Sequence, residues 1–235
     1  MALSCYYLPI LFLMETHMLR DVNMDEISDG KLYTAEDVVR ITSDGCRGCS
    51  ECCRIVGDTI VLDPLDIFNL SKALNKSFAE MMEKEIELRM VDSCILPNIM
   101  MQEETDACGM LDENGRCTIH KSRPGFCRLF PLGRIYDEEG DFKYFVQVHE
   151  CPYPKKGDVK IADWLGVSDV ALYEKYVKDW HSLCRNINAY AEECKDPLQL
   201  KKANWMLIRL FYEKPYDLSA DFYPQFYARL ETLTK

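Results

Sequence analysis

Gly45-Cys46-Arg47-Gly48-Cys49-Ser50-Glu51-Cys52-Cys53-Arg54 packs four cysteines into one short run of the chain. Two residues between thiols let a tight turn aim both sulfurs at one metal while nearby amides point at the sulfurs. C-x2-C therefore recurs in zinc and in iron–sulfur sites. A third cysteine at the same spacing makes C-x2-C-x2-C, the run that opens bacterial ferredoxin sites. The fourth departs from that pattern, because ferredoxins place it three residues on and here it is adjacent. Neighbouring side chains point in different directions on either regular backbone geometry. Cys52 and Cys53 are therefore expected to serve two sites, or one site and its wall.

Working outward, the next cysteines are Cys108 and the stretch Cys117-Thr118-Ile119-His120-Lys121-Ser122-Arg123-Pro124-Gly125-Phe126-Cys127-Arg128-Leu129-Phe130-Pro131, followed by Cys151-Pro152. With Cys46, Cys49, Cys52 and Cys53 these make eight thiols, the ligand count of two four-cysteine sites. His120 and His149 could each replace a thiol, or hydrogen-bond one from behind. Neither the second block nor Cys151 completes a four-ligand site alone, so the blocks are expected to converge on one or two centres.

The chain has 235 residues, 12 of them cysteine, with 28 Lys+Arg against 39 Asp+Glu for a net charge of −11. That balance argues against a nucleic-acid partner, since a phosphate backbone needs a basic face. The apolar run Tyr6–Leu13 lacks a basic flank and a small-residue cleavage site, and it is far shorter than the ~20 residues of a membrane span. Met14-Glu15-Thr16-His17 reads as an ordinary polar start, which raises the expectation that the first thirteen residues are an over-extended translation start. No membrane association is expected, and a cytoplasmic location is. There, clustered thiols bind metal or do redox chemistry rather than forming lasting disulfides.

The expected class is α+β and helix-rich, with short β-hairpins around a cysteine metal core and a C-terminal helical segment. Residues 1–43 form a lead-in with a short helix after Thr34, where Thr34 and Asp37 approximate a capping box. Residues 44–157 form the cysteine-cluster domain. Within it Asp63-Pro64 and Ser77-Phe78-Ala79-Glu80 open helices of about 11 and 14 residues. Short strands are expected from about residue 108. Asn114-Gly115 marks a tight turn, and a hairpin pairs Leu132–Tyr136 with Phe142–Val148. Residues 158–235 read as helical. Tyr173, Tyr176, Val177, Trp180, Leu183, Cys184, Ile187, Ala191 and Cys194 share one face of the first helix. Asp196-Pro197 starts a second helix, and a third follows Ser219.

Cys46–Cys53 resembles the C-x2-C-x2-C-C signature of the YkgJ-type cysteine-cluster family. Cys117-Thr-Ile-His-Lys-Ser-Arg-Pro-Gly-Phe-Cys127-Arg-Leu-Phe-Pro resembles that family's second block, and Cys151-Pro152 its trailing element. The resemblance covers about residues 44–154. It implies a zinc- or iron-chelating domain with Cys46, Cys49, Cys52, Cys53, Cys108, Cys117, Cys127 and Cys151 as metal ligands. The family includes a flagellin lysine N-methylase, so the resemblance also implies, more weakly, methyl transfer from S-adenosylmethionine to a protein lysine.

Arg47, Arg54, Arg123 and Arg128 each stand within four residues of a clustered cysteine. Such cations lower thiol pKa values and offset thiolate charge. They could also bind an anionic cofactor group, such as the carboxylate of S-adenosylmethionine, or simply pair with Asp and Glu. Cys184 and Cys194 lie on an apolar helical face, where cysteine acts as a small hydrophobe. Cys5 and Cys94 have no partner spacing and read the same way, and His17 and His181 read as surface or packing residues. Three classes follow: an iron–sulfur or zinc protein, most simply with one or two [4Fe–4S] clusters; a lysine-methylase-like enzyme; and a redox or electron-transfer module. A G-x-G-x-x-G after a strand and the radical S-adenosylmethionine spacing C-x3-C-x2-C are both absent. The C-terminal helices are the expected dock for a protein substrate or partner.

Overall fold

The computed structural model describes residues 23–42, 46, 49–54, 60–194 and 196–233. Local capping chemistry decides where several elements start. Asp63 accepts from the Asp66 amide at 2.9 Å while Asp66 accepts from the Asp63 amide at 3.2 Å, and Pro64 supplies a preset φ at the first helical position. The result is α3, Pro64–Leu74, with the 11 residues its start signal leads one to expect. Two short helices precede it, α1 at Met24–Ile27 and α2 at Glu51–Arg54.

Ser77 and Glu80 form their capping box, but the helix they open, α4, ends at Met81. The following Ile-Glu-Leu-Arg-Met-Val run instead becomes strand β2, Ile86–Val91, which pairs antiparallel with β3, Cys94–Ile99. Apolar residues alternating along an extended chain outweigh continuation of the helix. Within residues 44–157 strand structure thus begins some twenty residues before the expected point near 108.

A similar correction applies at Thr34. The Thr34 amide and hydroxyl both donate to Asp37 Oδ2 at 2.7 Å, yet they close a turn rather than a helix. Val38, Val39, Ile41 and Thr42 are stiff at χ1 and favour the pleat, so the turn leads into β1, Val38–Thr42. β1 pairs antiparallel with β6, Lys156–Lys160, in the register Val38↔Lys160 to Thr42↔Lys156. Residue 157, where the sequence divides the chain, lies inside β6.

The third hairpin joins β4, Leu132–Tyr136, to β5, Phe142–Val146, as the Glu-Gly-Asp turn signal requires. Gly140 takes the left-handed conformation in that turn, at φ 91°. Between β3 and β4 lie α5, Gly125–Leu129, and a single 3-10 turn at His120–Ser122. The fold is therefore α+β, with three separate two-stranded antiparallel sheets among the described residues.

After α6, Ile161–Leu165, the chain is helical: α7 at Val170–Glu193, α8 at Pro197–Ile208 running into a π-helical turn at Arg209–Glu213, and α9 at Phe222–Leu230. Tyr173, Tyr176, Val177, Trp180 and Cys184 of the expected α7 face are buried, together with His181. Tyr176, Trp180, Phe211, Phe222 and Phe226 meet edge-on or tilted at centroid distances of 4.8–6.4 Å, an arrangement that suits the ring quadrupole.

These helices share one core with the cysteine segment. Ile60, Leu62, Cys108, Met110 and Ile119 belong to the same buried cluster as Tyr176, Phe211 and Phe226. Buried polar groups tie the layers together. Tyr212 donates to the Leu62 carbonyl at 3.0 Å, and Trp164 Nε1 to the Leu129 carbonyl at 3.3 Å. No described helix is long and apolar enough to cross a membrane.

Candidate metal centre

Six of the eight expected ligand thiols influence one another. Burial pushes the Cys127 thiol well above its ordinary pKa, and Cys108, Asp66, Cys52 and Cys117 push it further. Cys108 is raised by burial and then by Cys117 and Cys52, and Cys117 by burial and then by Cys46 and Cys52. Cys46, Cys52, Cys53, Cys108, Cys117 and Cys127 thus form one electrostatic group drawn from both sequence blocks.

The backbone brings the blocks together. The Cys108 amide donates to the Cys53 carbonyl at 2.8 Å, and His120 Nε2 meets the Cys46 carbonyl at 3.1 Å. α2 lies over the Asn114-Gly115 turn so closely that a Cβ on Gly115 would stand 2.5 Å from an Arg54 terminal nitrogen. Gly115 is also left-handed, at φ 69°, a conformation that favours a residue with no side chain. The same turn holds Leu111 opposite Cys117.

Cys52 and Cys53 do not diverge as their adjacency implies. Their sulfurs lie 4.0 Å apart, close to the ~3.8 Å edge of a tetrahedron with Zn–S bonds of about 2.3 Å. Hydrogen bonding to Cys53, and then burial, raise the Cys52 thiol strongly.

Cys49 is exposed and follows a different course, as does Cys151, whose sulfur lies 3.3 Å from Thr42 Oγ1 at the end of β1. Cys151 and His149 line a separate cleft of about 380 Å³ with Arg40 and Lys156. His149 holds a left-handed backbone there, at φ 70°.

Of the four arginines, Arg123 and Arg128 stand at the thiol group. Arg123 donates to His120 at 3.3 Å and lowers the Cys117 thiol against the effect of burial. Arg128 donates to the Arg123 carbonyl at 3.2 Å. Arg54 sits on the turn at Gly115, and Arg47 lies outside the described residues, as do Cys5 and His17.

The donor set suits a thiophilic metal. Backbone amides two residues on point at sulfur, from Met110 to Cys108 and from Ile119 to Cys117, and both favour the thiolate. Buried thiols that raise one another's pKa are the environment in which a bound cation has most repulsion to relieve. The thiols are grouped rather than closed up. Among the described residues no three His, Cys, Asp or Glu side chains stand at ligating spacing.

The sequence alone misses Asp66. One of its oxygens completes the capping box of α3, and the other accepts from the Gly125 amide at 2.8 Å, at the start of the helix that carries Cys127. Asp66 is only 4% exposed. Burial, and then the neighbouring Asp63, raise its carboxyl well above the usual range. Behind it Arg134 donates to Tyr173 at 2.8 Å and the Leu65 amide donates to Tyr176 at 3.1 Å. Only the fold reveals this second, long-range role.

Comparison with known families fits this geometry. Residues 45–152 match the family model CxxCxxCC, described as a "putative zinc- or iron-chelating domain". Over residues 45–152 the chain is similar to that family. The match ends just past Cys151 and takes in all eight expected ligand cysteines, while α7, α8 and α9 lie beyond it. No curated protein matches the chain, and no solved structure does. Metal chelation is the chemistry that the family's description names.

Proposed function

We propose that the CxxCxxCC domain binds an iron–sulfur cluster of the [4Fe–4S] type in the space between Cys46, Cys52, Cys108, Cys117 and Cys127. The observation that carries the reading is that the two distant cysteine blocks meet: the Cys108 amide donates to the Cys53 carbonyl at 2.8 Å, His120 Nε2 meets the Cys46 carbonyl at 3.1 Å, and the Cys52 and Cys53 sulfurs lie 4.0 Å apart. Four thiolates and amide-to-sulfur hydrogen bonds are what such a cluster needs, and the C-x2-C-x2-C opening matches its usual run. A four-thiolate zinc site uses the same donors, so the deciding test is chemical. Protein purified without oxygen should carry iron and acid-labile sulfide near four per chain, with a broad brown absorption. One or two zinc per chain and a colourless solution would replace the cluster with a structural zinc centre.

A second reading rests on Arg123, whose Nε is buried with no hydrogen-bond partner among the described residues. A small carboxylate beside the cluster would satisfy it, and S-adenosylmethionine carries one. Equilibrium dialysis of the metal-loaded protein with labelled S-adenosylmethionine tests this. Retention that Arg123→Ala abolishes would support a methyltransferase, and an absence of retention would remove that reading. A reversible low-potential couple with no cofactor binding would instead place the protein among electron-transfer modules.

A further inference from the structure

Helix α8 has two apolar faces, and the fold covers only one. Asn204, Leu207 and Ile208 are buried. On the opposite side Leu198, Lys201, Lys202, Trp205, Met206 and Arg209 are all exposed, spaced as one continuous helical stripe. Leu198 and Trp205 are each 58% exposed and Met206 49%, high values for large apolar side chains. Trp164 and Trp180, by contrast, are 8% and 7% exposed.

The stripe runs into a groove of about 590 Å³ between α8 and the chain end, lined by Trp205, Met206, Leu210, Lys214 and Leu233. Its floor is the π-helical turn Arg209–Glu213, a distortion that recurs at functional sites. The Arg209 guanidinium lies 4.6 Å over the Trp205 ring, which holds the indole outward as a rigid platform.

Charge decides the occupant. The chain carries −11 overall, yet the stripe's charged positions are Lys201, Lys202 and Arg209, with Lys214 at the groove. Glu213, the one acid lining the groove, is paired with Arg209 at 3.8 Å. Lys201, Lys202 and Lys214 have no carboxylate partner among the described residues.

We propose that this stripe and groove dock an acidic amphipathic helix of a partner protein, its apolar side chains against Leu198, Trp205 and Met206 and its carboxylates against the lysines. An anionic membrane would share the charge preference. However, a concave groove suits an inserted side chain better than a lipid plane, and the net negative charge of the whole chain opposes approach to such a surface. The surface lies outside the residues that match the chelating domain, so the proposal does not depend on which metal is bound.

The test uses the metal-loaded protein and a synthetic helical peptide with Leu at i, i+3, i+7 and i+10 and Glu elsewhere. A counterpart carries Lys in place of every Glu, and Trp205 fluorescence is the readout. The acidic peptide is expected to bind about tenfold or more tighter than the lysine peptide, and more weakly as salt rises. Trp205→Ala and, separately, the pair Lys201→Glu and Lys202→Glu should each weaken binding about tenfold, read by peptide anisotropy, with the far-UV spectrum unchanged. No binding of the acidic peptide, or equal binding of the two peptides, would overturn the proposal. So would tighter binding to phosphatidylserine vesicles, or a self-association that Trp205→Ala abolishes.

Discussion

At the scale of single residues, Cys127 is a thiol strongly shaped by its surroundings. Burial, three other thiols and the Asp66 carboxyl all disfavour its thiolate, so a bound cation has repulsion to relieve there. Cys127→Ala is expected to cost more metal affinity than the ~10–100-fold seen when an outer partner is lost, read as metal per chain after gel filtration. Cys194→Ala, which removes a thiol at the end of α7 away from the cluster, should leave that number unchanged. Asp66→Asn tests the link from α3 to α5. An amide can replace only one of the two acceptor oxygens now serving the Asp63 and Gly125 amides. An orphaned buried donor should cost about 1–3 kcal/mol by denaturant unfolding and lower metal occupancy with it. His181 makes a pH prediction. Burial first, then Arg185 and Arg134, lower its pKa to about 4 against a small opposing effect of Asp92, and its ring stacks on Tyr136 at 3.8 Å. The folded state holds it neutral while the unfolded chain protonates near pH 6.5. Its contribution is therefore complete above pH 6.5 and is lost as pH falls toward 4, about 1–2 kcal/mol after allowance for solvent screening. His181→Phe should flatten that part of the stability profile.

At the scale of elements, α8 is held by one side chain reaching across to the β2–β3 hairpin. Asn204 Oδ1 accepts from the Ile95 amide at 2.6 Å, and its Nδ2 donates to the Ser93 carbonyl at 2.9 Å. Asn204→Ala orphans both backbone groups and should cost about 2–4 kcal/mol in urea unfolding, whereas Asn204→Gln should not restore the pair because its longer arm no longer fits. Elements with a start signal and a uniform pattern were legible in the sequence. α3 has both a capping box and Pro64, β4 and β5 flank a glycine turn, and α7 keeps one apolar stripe for its whole length. The misread elements share a cause. Thr34–Asp37 and Ser77–Glu80 make helix-start contacts, but capping fixes only the first turn. The β-branched run after Asp37 and the alternating Ile86–Val91 run find strand partners far along the chain or across a hairpin. Likewise the meeting of the two cysteine blocks was legible from ligand count, though not which thiols would group. The course of Cys151 toward Thr42 was not, because it depends on the β1–β6 pairing, which joins residues more than a hundred apart.

At the scale of the whole molecule, the metal site and the helices are parts of one core. Cys108, Met110 and Ile119 are buried in the same cluster as Tyr176, Leu207 and Phe226. Tyr212, Trp164 and Asn204 each bond across from the helices to the chelating domain. Opening the cysteine segment would uncover the parts of the helices' apolar faces that pack on it. Metal-binding energy in sites of this kind is largely folding energy, because the unfolded chain holds no preformed site. Removing the metal should therefore destabilise α7, α8 and α9 as well as the segment that holds it. Chelation under reducing, oxygen-free conditions is expected to lower the melting temperature by more than about 10 °C, since each kcal/mol lost shifts a chain of this size by about 2–4 °C. The loss of far-UV helix signal should follow the same single transition as the loss of near-UV aromatic signal from Trp180 and its neighbours. A helical signal that survives chelation and melts later on its own would show instead that residues after β6 fold independently, and that the metal stabilises only the domain that binds it.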